Sequence, residues 1–335
     1  MIAELWQAYR LRWRRRRLLW RAFRKRRELA AVADRTAAIG AGTILCFSTV
    51  RDEAARLPRF LRHHRDLGVG HFLIVDNGST DGTAALLAAE ADVSLWTTGR
   101  GYRAARFGAD WLAWLQMRHG HGHWCLTADV DELLIYPHWR TRDLRALTGW
   151  LDDQGRRAFP AMMLDLYPQG PLSAAGEAAP DPAGMWFDAG NYTLSRHPVL
   201  WNLWIQGGVR ARVFFADAPR RAPTLTKTPL VRWDRRYVYV NSTHSLLPRA
   251  LNLGYDTDGG EAPSGILLHT KFLQGIVGRA VADKTRGQHF HDPAAFADYY
   301  DRVIAAPDLW TRYSRRYSGW RALEALGLMS RGGWM

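Results

Sequence analysis

Short apolar runs alternate with amphipathic stretches between residues 43 and 129. The runs "TILCFSTV", "HFLIVD", "VSLWTT" and "HWCLTADVD" are mostly apolar, as strands buried on both faces of a sheet are. Between them lie "EAARLPRFLRHHRDLG", "TAALLAAEA" and "AARFGADWLAWLQMRHG", whose spacing is helical. Strands that alternate with helices of this length predict an α/β fold with a parallel sheet covered on both faces.

The first 30 residues carry aromatic side chains at helical spacing. Trp6, Trp13 and Trp20 recur every seven residues, and Tyr9 and Phe23 follow two of them by three, so a helix gathers them along one side. A basic helix with such a stripe can lie in a membrane interface. The same stripe can pack on the protein's own body or on a second copy, and a basic arm can bind nucleic acid. The pattern alone leaves these alternatives open.

Charge is concentrated in this arm. The 335 residues include 46 Lys and Arg against 32 Asp and Glu, a formal net charge of +14. Residues 1–30 hold 11 basic and 2 acidic residues, so their net charge of +9 leaves +5 for the other 305 residues. A body that is only mildly basic does not predict a nucleic-acid partner.

Cysteine usage and hydropathy favour a cytoplasmic location. Cys46 and Cys125 lie in apolar runs, where a free thiol behaves as a small buried hydrophobe, and this fits a reducing compartment. No run of 18 apolar residues predicts a membrane span, and the first 30 residues lack the apolar core and cleavage site of a secretory signal. Peripheral contact at the inner face of the cytoplasmic membrane follows if the arm binds lipid.

Acidic residues follow two of the predicted strands. Asp76 closes "HFLIVD", and Asp129 and Asp131 follow "WCLTA". Alternate side chains of an extended segment point the same way, so the two aspartates of Asp-x-Asp favour a hard divalent cation such as Mg²⁺ or Mn²⁺. Ligands of α/β sheets bind at the carboxyl ends of strands, where these residues lie. Glu132 either joins this site or caps the following helix.

The stretch "FSTVRDEAARLPRFLRHHRDLGVGHFLIVDNGSTDGT", followed by "WCLTADVDELL", resembles the nucleotide-binding half of family 2 glycosyltransferases of the GT-A fold. The similarity is greatest to their bacterial branch with an Asp-x-Asp-Glu motif and covers roughly residues 42–137. It implies that Asp76 binds the nucleobase or ribose and that Asp129 and Asp131 hold the metal on the sugar-nucleotide diphosphate. The usual Asn-Glu after the first strand is Asp52-Glu53 here.

The resemblance also implies an architecture. We expect a GT-A (Rossmann-like) mixed sheet with helices on both faces, preceded by a basic amphipathic N-terminal helix. The predicted segments are a basic helical arm (1–40), a nucleotide-sugar-binding half (41–150), an acceptor-binding half (151–300) and a C-terminal helical tail (301–335).

Basic and imidazole side chains complete the predicted donor site. An arginine after the third strand often approaches the base or phosphate in this family, and Arg100, Arg103 and Arg106 are the candidates. His269 follows "ILL" as Asp129 follows "WCLTA", so it can supply a third metal ligand, which is also a recurrent GT-A feature; the alternative is a structural histidine. Because the departing diphosphate is anionic, three further residues are candidate contacts, with a solvated surface role as the alternative: Lys271, Arg286 and His289.

Transfer also requires a base that deprotonates the incoming hydroxyl. Asp165 in "MMLDLYP" is the first candidate, followed by Asp188, Asp234 and His244; an ordinary hydrogen-bonded strand-end aspartate is the alternative for Asp165. The sequence therefore predicts a metal-dependent, inverting glycosyltransferase. It would move a sugar from a nucleoside-diphosphate sugar, a UDP-sugar first, to a hydroxyl of a glycan or lipid-linked acceptor. A homodimer is compatible with this reading.

Two other functions remain open. A metal-dependent nucleotidyltransferase also uses a carboxylate pair, but it usually carries a Gly/Arg/Lys-rich loop after the first strand, where this chain has "STVRDEAARL". A non-catalytic protein that binds nucleic acid or anionic surfaces would account for the arm, but it would not need Asp129 and Asp131.

Overall fold

The computed structural model of the protein describes residues 2–174, 181–255, 262–273, 275–286 and 297–335. Its strands are β1 (Ala30–Ala33), β2 (Leu45–Val50), β3 (His71–Asp76), β4 (Val93–Thr97), β5 (Trp124–Thr127), β6 (Glu132–Ile135), β7 (Ala158–Asp165), β8 (Trp186–Asp188), β9 (Tyr192–Arg196), β10 (Leu203–Gly207), β11 (Thr226–Arg232), β12 (Val238–Tyr239), β13 (Leu246–Leu247), β14 (Gly265–His269) and β15 (Ser314–Arg316). Its α-helices are α1 (Ile2–Lys25), α2 (Leu57–Asp66), α3 (Thr83–Ala89), α4 (Ala109–Leu115), α5 (Leu144–Asp153), α6 (Ile276–Arg286), α7 (Ala297–Ile304) and α8 (Trp320–Ala325).

Nine of these strands form one mixed sheet in the order β1-β4-β3-β2-β5-β11-β7-β14-β6. The neighbours β4, β3, β2 and β5 run parallel, as the alternation of strands and helices predicts. β1, β11 and β6 pair with their neighbours in antiparallel fashion. The predicted α/β class with a mixed sheet is therefore confirmed.

Alternate residues of the parallel strands belong to two different cores. Cys46 and Ile74 pack in a cluster with residues of α2, α3 and α5, whereas Phe47 and Val75 pack in another with Trp111 of α4. Because successive side chains of a strand point to opposite faces, helices cover both faces of this part of the sheet. This burial on both faces is the reason why the strands are apolar throughout rather than alternating.

Strand pairing crosses the boundary predicted at residue 150. β5 pairs with β11 and β6 pairs with β14, so residues 41–150 and 151–300 both contribute to the same sheet. Within residues 301–335, α8 is accompanied by β15, which pairs with β8. Glu132 begins β6, so it caps no helix.

The register of β14 places three distant residues side by side. β14 lies between β7 and β6, and His269 is paired with Asp165 in β7 and with Glu132 in β6. Asp129 and Asp131 lie in the connection between β5 and β6. The end of β14 therefore meets the Asp-x-Asp-Glu motif.

The N-terminal helix α1 packs on the body through one side. Leu11, Leu18 and Ala22 are buried against a cluster that includes Ala113 of α4 and Val240. Of the aromatic stripe, Phe23 contacts Trp114 of α4, whereas Trp6, Tyr9, Trp13 and Trp20 are exposed. Although α1 has 24 residues, neither it nor any other described helix has the apolar stretch needed to cross a bilayer.

Candidate active site

A cavity of about 880 Å³ lies beside the ends of β2, β5 and β14. Its described lining combines acidic and basic side chains, with the basic ones in excess. The acidic residues are Asp52, Glu53, Asp129, Asp131, Glu132 and Asp283; the basic ones are Arg14, Arg17, Arg51, Arg56, Arg103, Arg106, Arg210, Lys227, Lys271 and Arg279. A cleft with an excess of positive charge attracts an anionic ligand.

Lys227 of β11 lies between two carboxylates of the motif. Its Nζ donates to Asp129 Oδ2 at 3.0 Å and to an oxygen of Glu132. Burial lowers the pKa of Lys227, but the two carboxylates outweigh this effect and hold the pKa above its usual range. Sequence analysis missed this residue, although a lysine within the apolar strand "TKTPLVR" was a signal that a buried charge needs a partner.

His269 connects Asp131 to Asp165. Its Nε2 lies 3.3 Å from Asp131 Oδ2, and its Nδ1 lies 2.6 Å from Asp165 Oδ1. Because an ionised carboxylate only accepts hydrogen bonds, Nδ1 carries a proton that it donates to Asp165. Burial lowers the pKa of His269, but Asp131 and Asp165 together raise it above its usual value.

Asp165, the predicted base, is enclosed behind His269. Both of its oxygens accept hydrogen bonds from Arg210 at 2.7 Å. Burial raises the pKa of Asp165, but Arg210 and His269 outweigh burial and lower the pKa to about 2. Asp165 is not among the described residues that line the cavity. This geometry favours a role in holding His269 over proton abstraction from a substrate.

Asp131, Glu132 and His269 offer a group of metal ligands. One ligand atom from each lies within 4.8 Å of the other two. Two carboxylates and an imidazole suit Mn²⁺ or Mg²⁺, and an imidazole whose other nitrogen donates to a carboxylate is the usual arrangement of a metal-binding histidine. These residues therefore fit a divalent cation. Asp129 lies outside the group, and its side chain is 53% exposed.

Two residues that sequence analysis did not assign lie next to Asp131. Arg56 is buried, and its Nη1 lies 3.3 Å from Glu53 Oε2 and 3.8 Å from Asp131 Oδ2. Arg56 lines the cavity, and within the described chain its buried Nε and Nη2 have no hydrogen-bond partner. Burial raises the pKa of Glu53 to about 8, against the effect of Arg56. The Asp52-Glu53 pair was the only sequence signal at this position.

Among the four candidate bases, His244 lines the cavity and the three aspartates do not. Its Nδ1 lies 2.6 Å from the carbonyl oxygen of Thr226, so Nδ1 donates and Nε2 keeps its lone pair. Burial and the charge of Lys227 lower the pKa of His244 to about 4. Asp188 and Asp234 each pair with an arginine.

Comparison with known proteins names no relative. No protein-family model matches the chain, and no curated protein matches it at a significant level. The functional argument therefore rests on the residues of the cavity.

Asp76 and Arg106 take part in the fold around the cavity. Asp76 is buried at the end of β3, where it accepts a hydrogen bond from the backbone of Ser79 at 3.2 Å, and it is not among the described lining residues. Arg106 lines the cavity, but it also donates to Asp110 at 2.7 Å and to the carbonyl of Val240 at 2.9 Å.

The other residues predicted to contact the donor lie in different parts of the structure. Arg103 and Lys271 line the cavity. Arg100 is exposed and is not part of the described lining. Arg286 ends α6, and His289 lies outside the described residues.

Proposed function

We propose that the protein is a metal-dependent glycosyltransferase of the GT-A type. It transfers a sugar, with inversion, from a nucleoside-diphosphate sugar to a hydroxyl of a glycan or lipid-linked acceptor, and a UDP-sugar is the first donor to test. The observation that carries the proposal is that Asp131 and Glu132 meet His269 in a cavity with an excess of basic side chains. Carboxylates and imidazole suit the cation, and guanidinium groups suit the diphosphate.

In this proposal the residues around Asp131 have separate roles. Asp131 and His269 would hold a divalent cation, which when bound would neutralise charge on the departing diphosphate. Asp165 accepts a hydrogen bond from Nδ1–H of His269 and so turns Nε2 toward Asp131. Lys227 neutralises Asp129 and Glu132. Arg56, which lines the cavity beside Asp131, would contribute positive charge that favours the diphosphate.

His244 replaces Asp165 as the candidate base. Its Nε2 is the acceptor nitrogen of an imidazole that lines the cavity, whereas Asp165 is paired with Arg210 behind His269. The proton of the acceptor hydroxyl would pass to Nε2 as the oxygen attacks the sugar.

We expect His244→Ala to lower kcat by at least about 100-fold, because general-base catalysis typically contributes about 10²–10⁴-fold. The affinity for UDP with Mn²⁺ should stay unchanged, since His244 is not among the metal-ligand group. Steady-state kinetics and calorimetry measure the two quantities. His121→Ala, in an exposed loop outside the cavity lining, is the matched control. An unchanged kcat would remove His244 from the mechanism.

Mn²⁺ affinity should fall as pH decreases through the pKa of His269, because a proton and the cation compete for Nε2. Asp131 raises that pKa, so the fall should begin above the reference histidine value of about 6.5. Calorimetry with Mn²⁺ across this range tests the expectation. His269→Ala should bind Mn²⁺ more weakly, and its affinity should no longer fall across this pH range. If it keeps the affinity and the pH profile of the parent, His269 is a structural histidine.

A nucleotide panel tests the function itself. The protein is incubated with UDP- and GDP-sugars and Mn²⁺, and free nucleoside diphosphate is measured. Release that is abolished in Asp131→Asn supports the transferase. Release of pyrophosphate from a nucleoside triphosphate supports the nucleotidyltransferase instead, and the absence of both reactions supports a binding protein.

A further inference from the structure

We propose that α1 docks the protein on an anionic lipid bilayer through its exposed aromatic side and thereby holds the cavity next to the membrane surface. The docking surface consists of Trp6, Tyr9, Trp13 and Trp20 with the exposed arginines that flank them.

The fold uses one side of α1 and leaves the opposite side uncovered. Leu11 and Leu18 are buried, whereas Trp6, Trp13 and Trp20 are 63%, 52% and 61% exposed. Each of these rows repeats every seven residues, and the rows are two residues out of step, which places them on opposite sides of an α-helix. Packing on the body therefore explains why leucines occupy one side of α1, but it does not explain the exposed tryptophans on the other side.

Three of the exposed rings, those of Trp6, Tyr9 and Trp13, form a continuous strip rather than isolated apolar residues. The ring centroids of Trp6 and Tyr9 are 5.9 Å apart, and those of Tyr9 and Trp13 are 6.2 Å apart. Trp and Tyr have amphipathic rings that favour the headgroup region of a bilayer. A strip of such rings on a helix that lies flat on the body matches an interfacial helix.

The positive charge of α1 favours an anionic bilayer over the other possible partners of this surface. Residues 1–30 carry a net charge of +9, so two copies that meet through α1 would bring like charges together. Nucleic acid would satisfy the arginines, but its phosphates would leave the strip of rings in water. An anionic bilayer satisfies both, because headgroups attract the arginines and the interface accepts the rings.

The same helix forms part of the cavity wall. Arg14 and Arg17 line the cavity, and α1 is fixed to the body where Arg21 donates to Asp110 at 2.5 Å and where Gln7 accepts from Arg249 at 2.6 Å. A bilayer on the aromatic side of α1 therefore lies about one helix diameter, ~10 Å, from the cavity wall. If the proposed function holds, on which this step rests, the acceptor is an amphiphile whose headgroup carries the hydroxyl.

Sedimentation of the full-length protein with lipid vesicles tests the docking without any substrate. We expect binding to vesicles of phosphatidylcholine with phosphatidylglycerol at low salt, and much weaker binding to phosphatidylcholine alone. High salt should weaken binding only in part, because salt screens the arginines and not the burial of the rings. Trp6→Ala/Tyr9→Ala/Trp13→Ala should lower the partition coefficient at least tenfold.

A matched control uses exposed apolar residues elsewhere. Leu194→Ala/Tyr313→Ala removes two side chains that are as exposed as the tryptophans but lie outside α1, and it should bind vesicles like the parent. Deletion of residues 1–30 is not a suitable test, because it would also remove Leu11 and Leu18 from a core and Arg14 from the cavity.

The outcomes separate the docking from the catalytic proposal. Failure of the full-length protein to sediment with anionic vesicles overturns the docking, as does an aromatic variant that binds like the parent. The docking is also overturned if the parent forms a dimer, the aromatic variant does not, and neither binds vesicles. That result would assign the strip to contact with a second copy of the protein. Nucleoside diphosphate release is measured separately without vesicles, so either proposal can fail while the other stands.

Discussion

Asp131→Asn is expected to lower the affinity for UDP in the presence of Mn²⁺ by at least about 100-fold, because even residues that only hydrogen-bond to a metal ligand contribute about 10–100-fold. Asp131 faces His269 Nε2 at 3.3 Å, and burial of its carboxylate is outweighed by His269 and Arg56, which hold its pKa well below the usual range. The substitution removes the charge and keeps the shape. Calorimetry with UDP, with and without Mn²⁺, measures the loss.

The fold should survive this change although the variant loses the contacts of its charge with His269 and Arg56, because the amide keeps the shape of the side chain. Asp153→Asn, at the exposed end of α5, is the control for a general effect of removing a carboxylate. Both variants should unfold cooperatively, and only Asp131→Asn should lose metal-dependent binding. Parent-like affinity in Asp131→Asn would rule out this residue as a ligand.

Lys227→Met is expected to lower the free energy of unfolding by about 3–5 kcal/mol, the usual cost of removing one partner of a buried ion pair. Lys227 is buried, and its ammonium contacts Asp129 and the fully buried Glu132. Urea denaturation above pH 7, where Glu132 is ionised, measures the loss. Lys284→Met is the control, because its pair with Asp301 is exposed and such pairs are worth about 0–1 kcal/mol.

A second substitution tests whether the loss arises from the uncompensated carboxylate. Lys227→Met/Glu132→Gln should recover a large part of the stability, because the double variant leaves no buried charge at position 132. Burial raises the pKa of Glu132 to about 7 although Lys227 lowers it, so the loss in Lys227→Met should shrink as pH falls toward 7, where Glu132 binds a proton. If Lys227→Met is no less stable than Lys284→Met, the ion pair of Lys227 does not stabilise the fold.

Local sequence was sufficient for the parallel half of the sheet. The four predicted runs contain strands that end at Val50, Asp76, Thr97 and Thr127. Burial on both faces requires uninterrupted apolar residues, and the helices between the strands have the matching period. The Asp-x-Asp-Glu motif was visible for the same reason, as charge directly after an apolar strand. Its assignment as a metal site stays a prediction.

Sequence reasoning was weaker for residues 151–335, where the site depends on long-range pairing. Nothing local shows that β14 lies between β7 and β6, so the sequence offered His269 as a third metal ligand but did not reveal its contact with Asp165. The same holds for Lys227, which reaches the motif from β11, and for Arg210, which reaches Asp165 from the segment after β10. Asp165 looked like a base because its partner Arg210 is 45 residues away in sequence.

The N-terminal helix shows most clearly what the sequence determines and what only the tertiary structure decides. The sequence by itself determined a basic helix with two apolar rows of the same seven-residue period, one of leucines and one of tryptophans. Periodicity cannot say which row is buried, because both have the spacing of a packing face. Only the tertiary structure decided this: Ala113, Val240 and their neighbours cover the leucines, and the tryptophans stay exposed beside the cavity that Arg14 and Arg17 line.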